Sequence, residues 1–387
     1  MILYELISFE ALRVIWWLLM GVLLIAFAMT DGFDMGAGTL LPFVARTDIE
    51  RRVVFNTMGP VWEGNQVWFI LGGGAIFAAW PPLYAISFSG FYLAMFLILG
   101  AMILRPVAFK YRSKRKDPRW RAMWDRALFI GSAVPALLFG VAVGNVLLGV
   151  PFHLTPSLMP VYEGGLFAKF FGLLRPFALL CGVVSLALLV LHGAGWLVLK
   201  TTGDLQSRAR RYGVRAGLVV LAGYALAGLW LYFGVTGYAF VTPPAHDGPS
   251  NPLIHEVLRQ GSWLAAYGER PWILIAPVLG FLGTLLAIGA LRSGRDTLPI
   301  LCSQMAIFGM ISSVGLVMFP FILPSSTHPT SSLSVWDASS SHQTLFVMLV
   351  AGVIFLPLII AYTAWVYRVL WGKVTPESID ENDTHAY

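Results

Sequence analysis

Val14-Ile15-Trp16-Trp17-Leu18-Leu19-Met20-Gly21-Val22-Leu23-Leu24-Ile25-Ala26-Phe27-Ala28-Met29 is an uncharged apolar run that leads straight into Thr30-Asp31-Gly32-Phe33-Asp34-Met35-Gly36. With the following residues it makes a stretch, Val14–Leu41, longer than the roughly 20 residues that cross a bilayer. Two carboxylates sit inside it, three residues apart, with no basic residue nearby in sequence. A third acid, Glu63, lies early in the next apolar stretch, within Trp62-Glu63-Gly64-Asn65-Gln66-Val67-Trp68. Acids inside membrane spans are costly and face a bundle interior or a wet cavity. The trio is therefore the strongest pointer to function.

Composition agrees with a membrane protein. Of 387 residues, 57% are apolar and 12% charged, against about 25% charged in a soluble domain. The net charge of +6 does not point to nucleic acid, because its distribution follows membrane topology. Cys181 and Cys302 both fall in apolar stretches and read as small buried hydrophobes rather than as a disulfide or metal pair. The first ten residues hold Glu5 and Glu10 and no Lys or Arg, so the first apolar segment is expected to be retained rather than cleaved as a signal peptide.

Eight further stretches resemble the first: Thr57–Trp80, Leu83–Leu104, Ala127–Leu148, Leu173–Leu199, Ala216–Val235, Trp272–Leu291, Leu298–Leu323 and Thr344–Leu370. Each should be helical, since a segment in lipid must satisfy its own backbone hydrogen bonds. Pro81-Pro82 forces a tight reversal between the second and third. The expectation is an all-α polytopic membrane protein with nine transmembrane helices, residues 1–387 forming one integral membrane domain. Twenty-one of the 26 Lys and Arg fall in alternate connections and the C-terminal tail; only Arg13, Lys169, Arg175, Arg259 and Arg270 lie on the other side. The positive-inside rule then sets the N-terminus outside and the C-terminus in the cytoplasm. In the long outer connection, 236–271, Leu253 to Leu264 has apolar residues at helical spacing; it reads either as an amphipathic surface helix or as a packed loop. The acidic tail after Lys373 (Glu377, Asp380, Glu381, Asp383) is expected to be frayed.

The spacing gives the acids a geometry. Asp34 lies eight residues before the first connection, taken as Pro42–Asn56, and Glu63 seven residues after it. Both then sit about 10–12 Å in from one membrane face. Helices joined by a short connection are usually neighbours, so Asp34 and Glu63 are expected to face each other, with Asp31 a turn deeper and Asn65, Gln66 and Thr30 alongside. Acids stepped inward from the cytoplasm suit a proton path. The competing reading is structural: Asp31 or Asp34 caps a helix broken at Gly32 and Gly36, or pairs with a buried Arg. Arg105, before Pro106, either snorkels to the interface or serves as that counter-ion. His192 is the one histidine within a span and reads as hydrogen-bonded packing, with no positive case for haem bound by this chain. Gly72-Gly73-Gly74 would allow close helix approach. Asp337 reads as an N-cap of the last span. No hydrolytic or metal-binding set is evident, so no catalytic residue or metal ligand is expected.

Several strings together resemble subunit II of the cytochrome bd-type quinol oxidases: Ile15-Trp16-Trp17 through Gly36; Trp62 to Trp68; Ala78-Ala79-Trp80-Pro81; Ser89-Gly90-Phe91-Tyr92; Arg105-Pro106-Val107; Tyr111-Arg112-Ser113-Lys114; Gly144-Asn145; Met318-Phe319-Pro320-Phe321 with Pro324-Ser325-Ser326; and Trp336-Asp337-Ala338-Ser339-Ser340. They run from end to end, in order. The resemblance implies two four-helix bundles plus a peripheral helix. It also implies a heterodimer in the bacterial plasma membrane with a subunit I that carries haems b and d and the quinol site. The complex would reduce oxygen to water with cytoplasmic protons, to which Glu63, Asp34 and Asp31 would contribute. Some members hold a quinone in subunit II as a structural, lipid-like ligand; neither that nor a small single-helix third subunit is readable here. Lys110 stands where close relatives carry an acid, so proton entry must be arranged differently. The other readings are a proton-coupled secondary transporter, which typically shows paired repeats that are not evident here, and a purely structural membrane partner.

Overall fold

The computed structural model describes residues 3–380. Helix α1 (Phe9–Val44) starts where the Ser8 hydroxyl accepts from the Ala11 N–H, and it runs unbroken past Gly32, Gly36 and Gly38. The broken-helix alternative for Asp31 and Asp34 is thereby overturned. The first connection is not a loop. It holds α2 (Asp48–Met58), opened by a Thr47/Glu50 capping box, with Val53, Val54 and Phe55 laid into the core.

The expected reversal is present. Helices α3 (Trp62–Ala79) and α4 (Pro81–Gly90) are bent by 118° at Trp80, where Pro81 cannot continue the preceding hydrogen-bond ladder. Helix α5 (Tyr92–Tyr111) follows after Phe91, so the third expected span is assembled from two helices. There the Tyr162 hydroxyl donates to the Ile86 carbonyl (2.7 Å) and occupies the space a Cβ on Gly90 would need. The chain continues through α6 (Pro118–Leu148), the short pair β1 (His153–Leu154) and β2 (Pro160–Val161), α7 (Leu166–Gly172), α8 (Pro176–Lys200) and α9 (Gly203–Gly234).

In the long connection that follows, β3 (Tyr238–Phe240) pairs antiparallel with β4 (Val257–Arg259) before α10 (Ala266–Glu269). The amphipathic helix is therefore absent from Leu253–Leu264, and the packed-loop alternative describes the segment: Val257 and Trp263 are buried while Leu258, Arg259 and Gln260 between them are exposed. Helices α11 (Ile275–Arg292) and α12 (Leu298–Met318) lead to β5 (Phe321–Leu323) and β6 (Leu333–Ser334), then α13 (His342–Val369) and α14 (Pro376–Asp380). Among the described residues, eight helices are long and apolar enough to cross a membrane, and the bent α3–α4 pair supplies a ninth.

Helix α1 is the centre of the bundle, packed against α3, α6, α8 and α12. In lipid, helices associate through close packing rather than water exclusion, and α1 shows where. A Cβ on Gly36 would fall 1.8 Å from the Leu189 carbonyl oxygen, and one on Gly193 2.3 Å from the Ala37 nitrogen. The α1–α8 crossing is backbone on backbone. Gly72, Gly73 and Gly74 do not serve this purpose, since nothing lies within 4 Å of a Cβ built on any of them. Helix α13 is peripheral; Leu345 is its one buried residue. The C-terminal tail is docked rather than frayed as far as Asp380: Ile379 is buried against the core beside α2, and Lys373 pairs with Asp296 (2.6 Å). Glu381 and Asp383 lie outside the described residues.

Candidate functional site

Asp31 and Asp34 are three residues apart on a continuous helix and so share one face. That face looks toward α5 and α3. Arg105 reaches it from α5 and grips both oxygens of Asp31, Nη1 to Oδ2 at 2.8 Å and Nη2 to Oδ1 at 2.7 Å. Both side chains are fully buried. A bidentate fork of this kind is the strongest form of carboxylate pairing. Gly131 on α6 makes room for it, since a Cβ there would meet the Ala101 carbonyl oxygen at 2.7 Å and Arg105 Cγ at 3.0 Å. Arg105 thus does not snorkel; of the alternatives, the buried counter-ion is the one present.

Asp34 takes a different partner. Its Oδ2 accepts from Asn65 Nδ2 at 2.7 Å and lies 3.9 Å from Arg105 Nη2, while its Oδ1 is buried with no protein partner. Asn65 Oδ1 in turn accepts from the Tyr367 hydroxyl at 2.6 Å, which arrives from α13. The Tyr367 ring stands edge-on to Phe33 and Trp196, which are themselves stacked at 4.0 Å. Five side chains from four helices (α1, α3, α5 and α13) therefore form one polar cluster.

Glu63 is not among them. It is exposed on α3 and makes no hydrogen bond or ion pair among the described residues, and Gln66 is half-buried. The expectation that Asp34 and Glu63 face each other fails for a geometric reason. Residues 63 and 65 are about 200° apart around a helix, so turning Asn65 toward Asp34 turns Glu63 outward. Thr30 bonds back to the Ala26 carbonyl at 2.8 Å. Lys110 is exposed at the end of α5.

His192 is fully buried one helix away, with Nε2 2.8 Å from the Met29 carbonyl and Nδ1 2.8 Å from Ser303 Oγ. A carbonyl only accepts, so Nε2 carries a proton; the Ser303 hydroxyl beside Nδ1 is itself 2.8 Å from the Ile300 carbonyl.

Two further clusters brace the ends of the bundle. Arg112, buried, bonds Asp125 (2.6 Å) and Asp48 (2.8 Å), while Arg51 and Arg121 join the same carboxylates. At the opposite end buried Arg13 donates to Ser339 Oγ, Ser250 Oγ and the carbonyls of His246 and Gly248. Asp337 is not the N-cap of α13; Ser341 is. Asp337 instead accepts from the Ser334 N–H at 2.8 Å in a buried turn, where burial raises its pKa above the usual carboxylate value. Tyr367 was invisible to sequence reading. A tyrosine near the end of a span reads as an ordinary interfacial aromatic, and nothing local couples it to a residue 302 positions away.

The family model for "Cytochrome bd terminal oxidase subunit II" matches residues 12–370. The chain belongs to this family. It is 48% identical over 381 residues to the cytochrome bd-I ubiquinol oxidase subunit 2 of Escherichia coli (strain K12), covering 98% of this chain and 99% of that one. It is 46% identical over 382 residues to the probable cytochrome oxidase subunit 2 of Haemophilus influenzae, covering 98% and 100%. Among solved structures, a chain of the bd oxidase of Geobacillus thermodenitrificans superposes with a TM-score of 0.69 at 15% identity, over 92% of this chain and 98% of that one; this likeness concerns the fold. Subunit II is thus a multi-pass protein of the bacterial inner membrane and one component of a respiratory terminal oxidase, an oxidoreductase complex that also contains a subunit I.

Proposed function

We propose that this subunit II supports a haem-bearing subunit I in a quinol:oxygen oxidoreductase and supplies it with protons from the cytoplasm. Haems b and d, quinol oxidation and oxygen reduction are assigned to the partner, and membrane lipid to the exposed face of α13. The observation that carries the proton reading is the two-sidedness of α3. It offers Glu63 to the outside of the chain and Asn65 to the buried cluster. A carboxylate exposed on the flank of a membrane helix needs protein or water over it, and subunit I is the natural cover. The orientation with the N-terminus outside puts Glu63 near the cytoplasmic face.

In this mechanism Glu63 takes a proton from cytoplasmic water and releases it to the next acceptor in the partner, returning to its carboxylate form each turn. Asp31 and Arg105 act as a fixed ion pair rather than as carriers, since both oxygens of Asp31 are held. Asp34 is the movable site. Two carboxylates and one guanidinium leave one negative charge in the cluster, which a single proton cancels, and its Oδ1 is open to receive it. Gln66 is the neighbouring polar group on α3. The test is Glu63→Gln in the intact complex. Oxidase turnover should fall at least tenfold while the haem spectrum stays unchanged; wild-type turnover in that variant would refute the role of Glu63.

A further inference from the structure

Resting on that proton reading, we infer that Tyr367 is a positioning residue for Asp34, acting through the side-chain amide of Asn65 from the peripheral helix α13. An asparagine amide has two faces, an acceptor oxygen and a donor nitrogen, and either could turn toward Asp34. The Tyr367 hydroxyl decides between them. It donates to Asn65 Oδ1 at 2.6 Å, which leaves Nδ2 to donate to Asp34 Oδ2 at 2.7 Å. The amide therefore presents a donor to the acid and favours an acceptor there.

The ring that carries this hydroxyl is itself fixed. It is edge-on to Phe33, which is next to Asp34 in sequence, and to Trp196, whose indole N–H reaches the Thr57 carbonyl. Helix α13 is mostly exposed, with Leu345 its one buried residue; half-buried Val366 and Tyr367 pack against the core, and Tyr367 brings a hydroxyl there. Tyr367 is half-buried, and the chain of bonds from it runs from the rim of the bundle to a carboxylate that is 1% exposed. The charged and titratable groups around Asp34 are Asp31 on its own helix, Arg105 on α5 and Tyr367 on α13, with His192 on α8 beyond Phe33.

Tyr367→Phe keeps the ring and removes the hydroxyl, which frees the amide to rotate. In the intact oxidase it should lower kcat by roughly threefold to tenfold, the size of one hydrogen bond between neutral groups, with quinol KM and the haem spectrum unchanged. In the infrared difference spectrum, the carboxyl band that is lost in Asp34→Asn should shift in Tyr367→Phe. The double variant Tyr367→Phe/Asn65→Leu should turn over no more slowly than Asn65→Leu alone, because both act on one contact. Wild-type kcat with an unmoved Asp34 band, or strictly additive losses, would overturn the inference while leaving the Glu63 result standing. If Asp34→Asn itself keeps full turnover, the proton reading of Asp34 falls and this inference falls with it.

Discussion

At the scale of single residues, the chain separates two acids that look alike in sequence. Asp31 is locked by a guanidinium fork, and Asp34 is held by one amide with an oxygen to spare. Arg105→Leu would strand Asp31 as a bare buried charge, a loss of about 3–5 kcal/mol. Its expected outcome is a sharp fall in assembled, haem-containing complex, read from the spectrum of purified membranes. Asp31→Leu/Arg105→Leu should recover much of that yield, because removing both charges removes the penalty. The acids themselves were legible in the sequence, since a carboxylate amid apolar residues is conspicuous. The partner of Asp31 was legible only as an alternative, because an Arg before a Pro near a span's end fits snorkelling equally well. The two-residue offset between Glu63 and Asn65 forbids both from facing the same neighbour, but which of them turns inward depends on Asp34 and Tyr367, partners distant in sequence.

At the scale of helices, nine spans and the Pro81 reversal were readable from apolar length and proline alone. What length could not show was the internal construction. The span expected at Leu83–Leu104 is two helices, and the connection expected at Pro42–Asn56 hides a capped helix. Nor could composition show which glycines matter. Gly72-Gly73-Gly74 is the conspicuous triplet, yet the isolated pair Gly36 and Gly193 makes the contact, because contact depends on which faces meet. Gly36→Leu should therefore abolish assembly, since the obstruction is the Leu189 backbone and cannot swing aside. Gly289→Ala on α11, exposed and with nothing within 4 Å, should be neutral or gain up to about 1 kcal/mol in helix propensity. The yield of haem-containing complex in membranes reads the first variant, and thermal denaturation of the purified complex the second.

At the scale of the molecule, the uneven distribution of Lys and Arg leads to a topology test. A tag at the C-terminus should be protected from protease in intact cells and cleaved in inverted vesicles, and one at the N-terminus the reverse. The docked tail brings a pH dependence. The Lys373 ammonium that donates to Asp296, aided by Arg210 and Gln206, outweighs the opposing effect of burial and holds the Asp296 carboxyl below its usual value. Such a group stabilises the fold above its unfolded pKa, and that contribution is lost as the pH falls through the folded value. Cleavage of the tail by an acid-tolerant protease should rise below about pH 4, and Asp296→Asn should show the same susceptibility at neutral pH. Asp337 runs the other way: its raised pKa contributes stability below the usual carboxylate range, lost as pH rises through the raised value.

The glycine contact between α1 and α8 has a mechanical consequence for Asp34, two residues before Gly36. With main chain touching main chain, neither rod can slide along the other by even one residue without jamming a side chain into the seam. The crossing behaves as a vernier stop, and the altitude of the carboxylate within the bilayer is set there, by two hydrogen atoms standing where side chains would otherwise be.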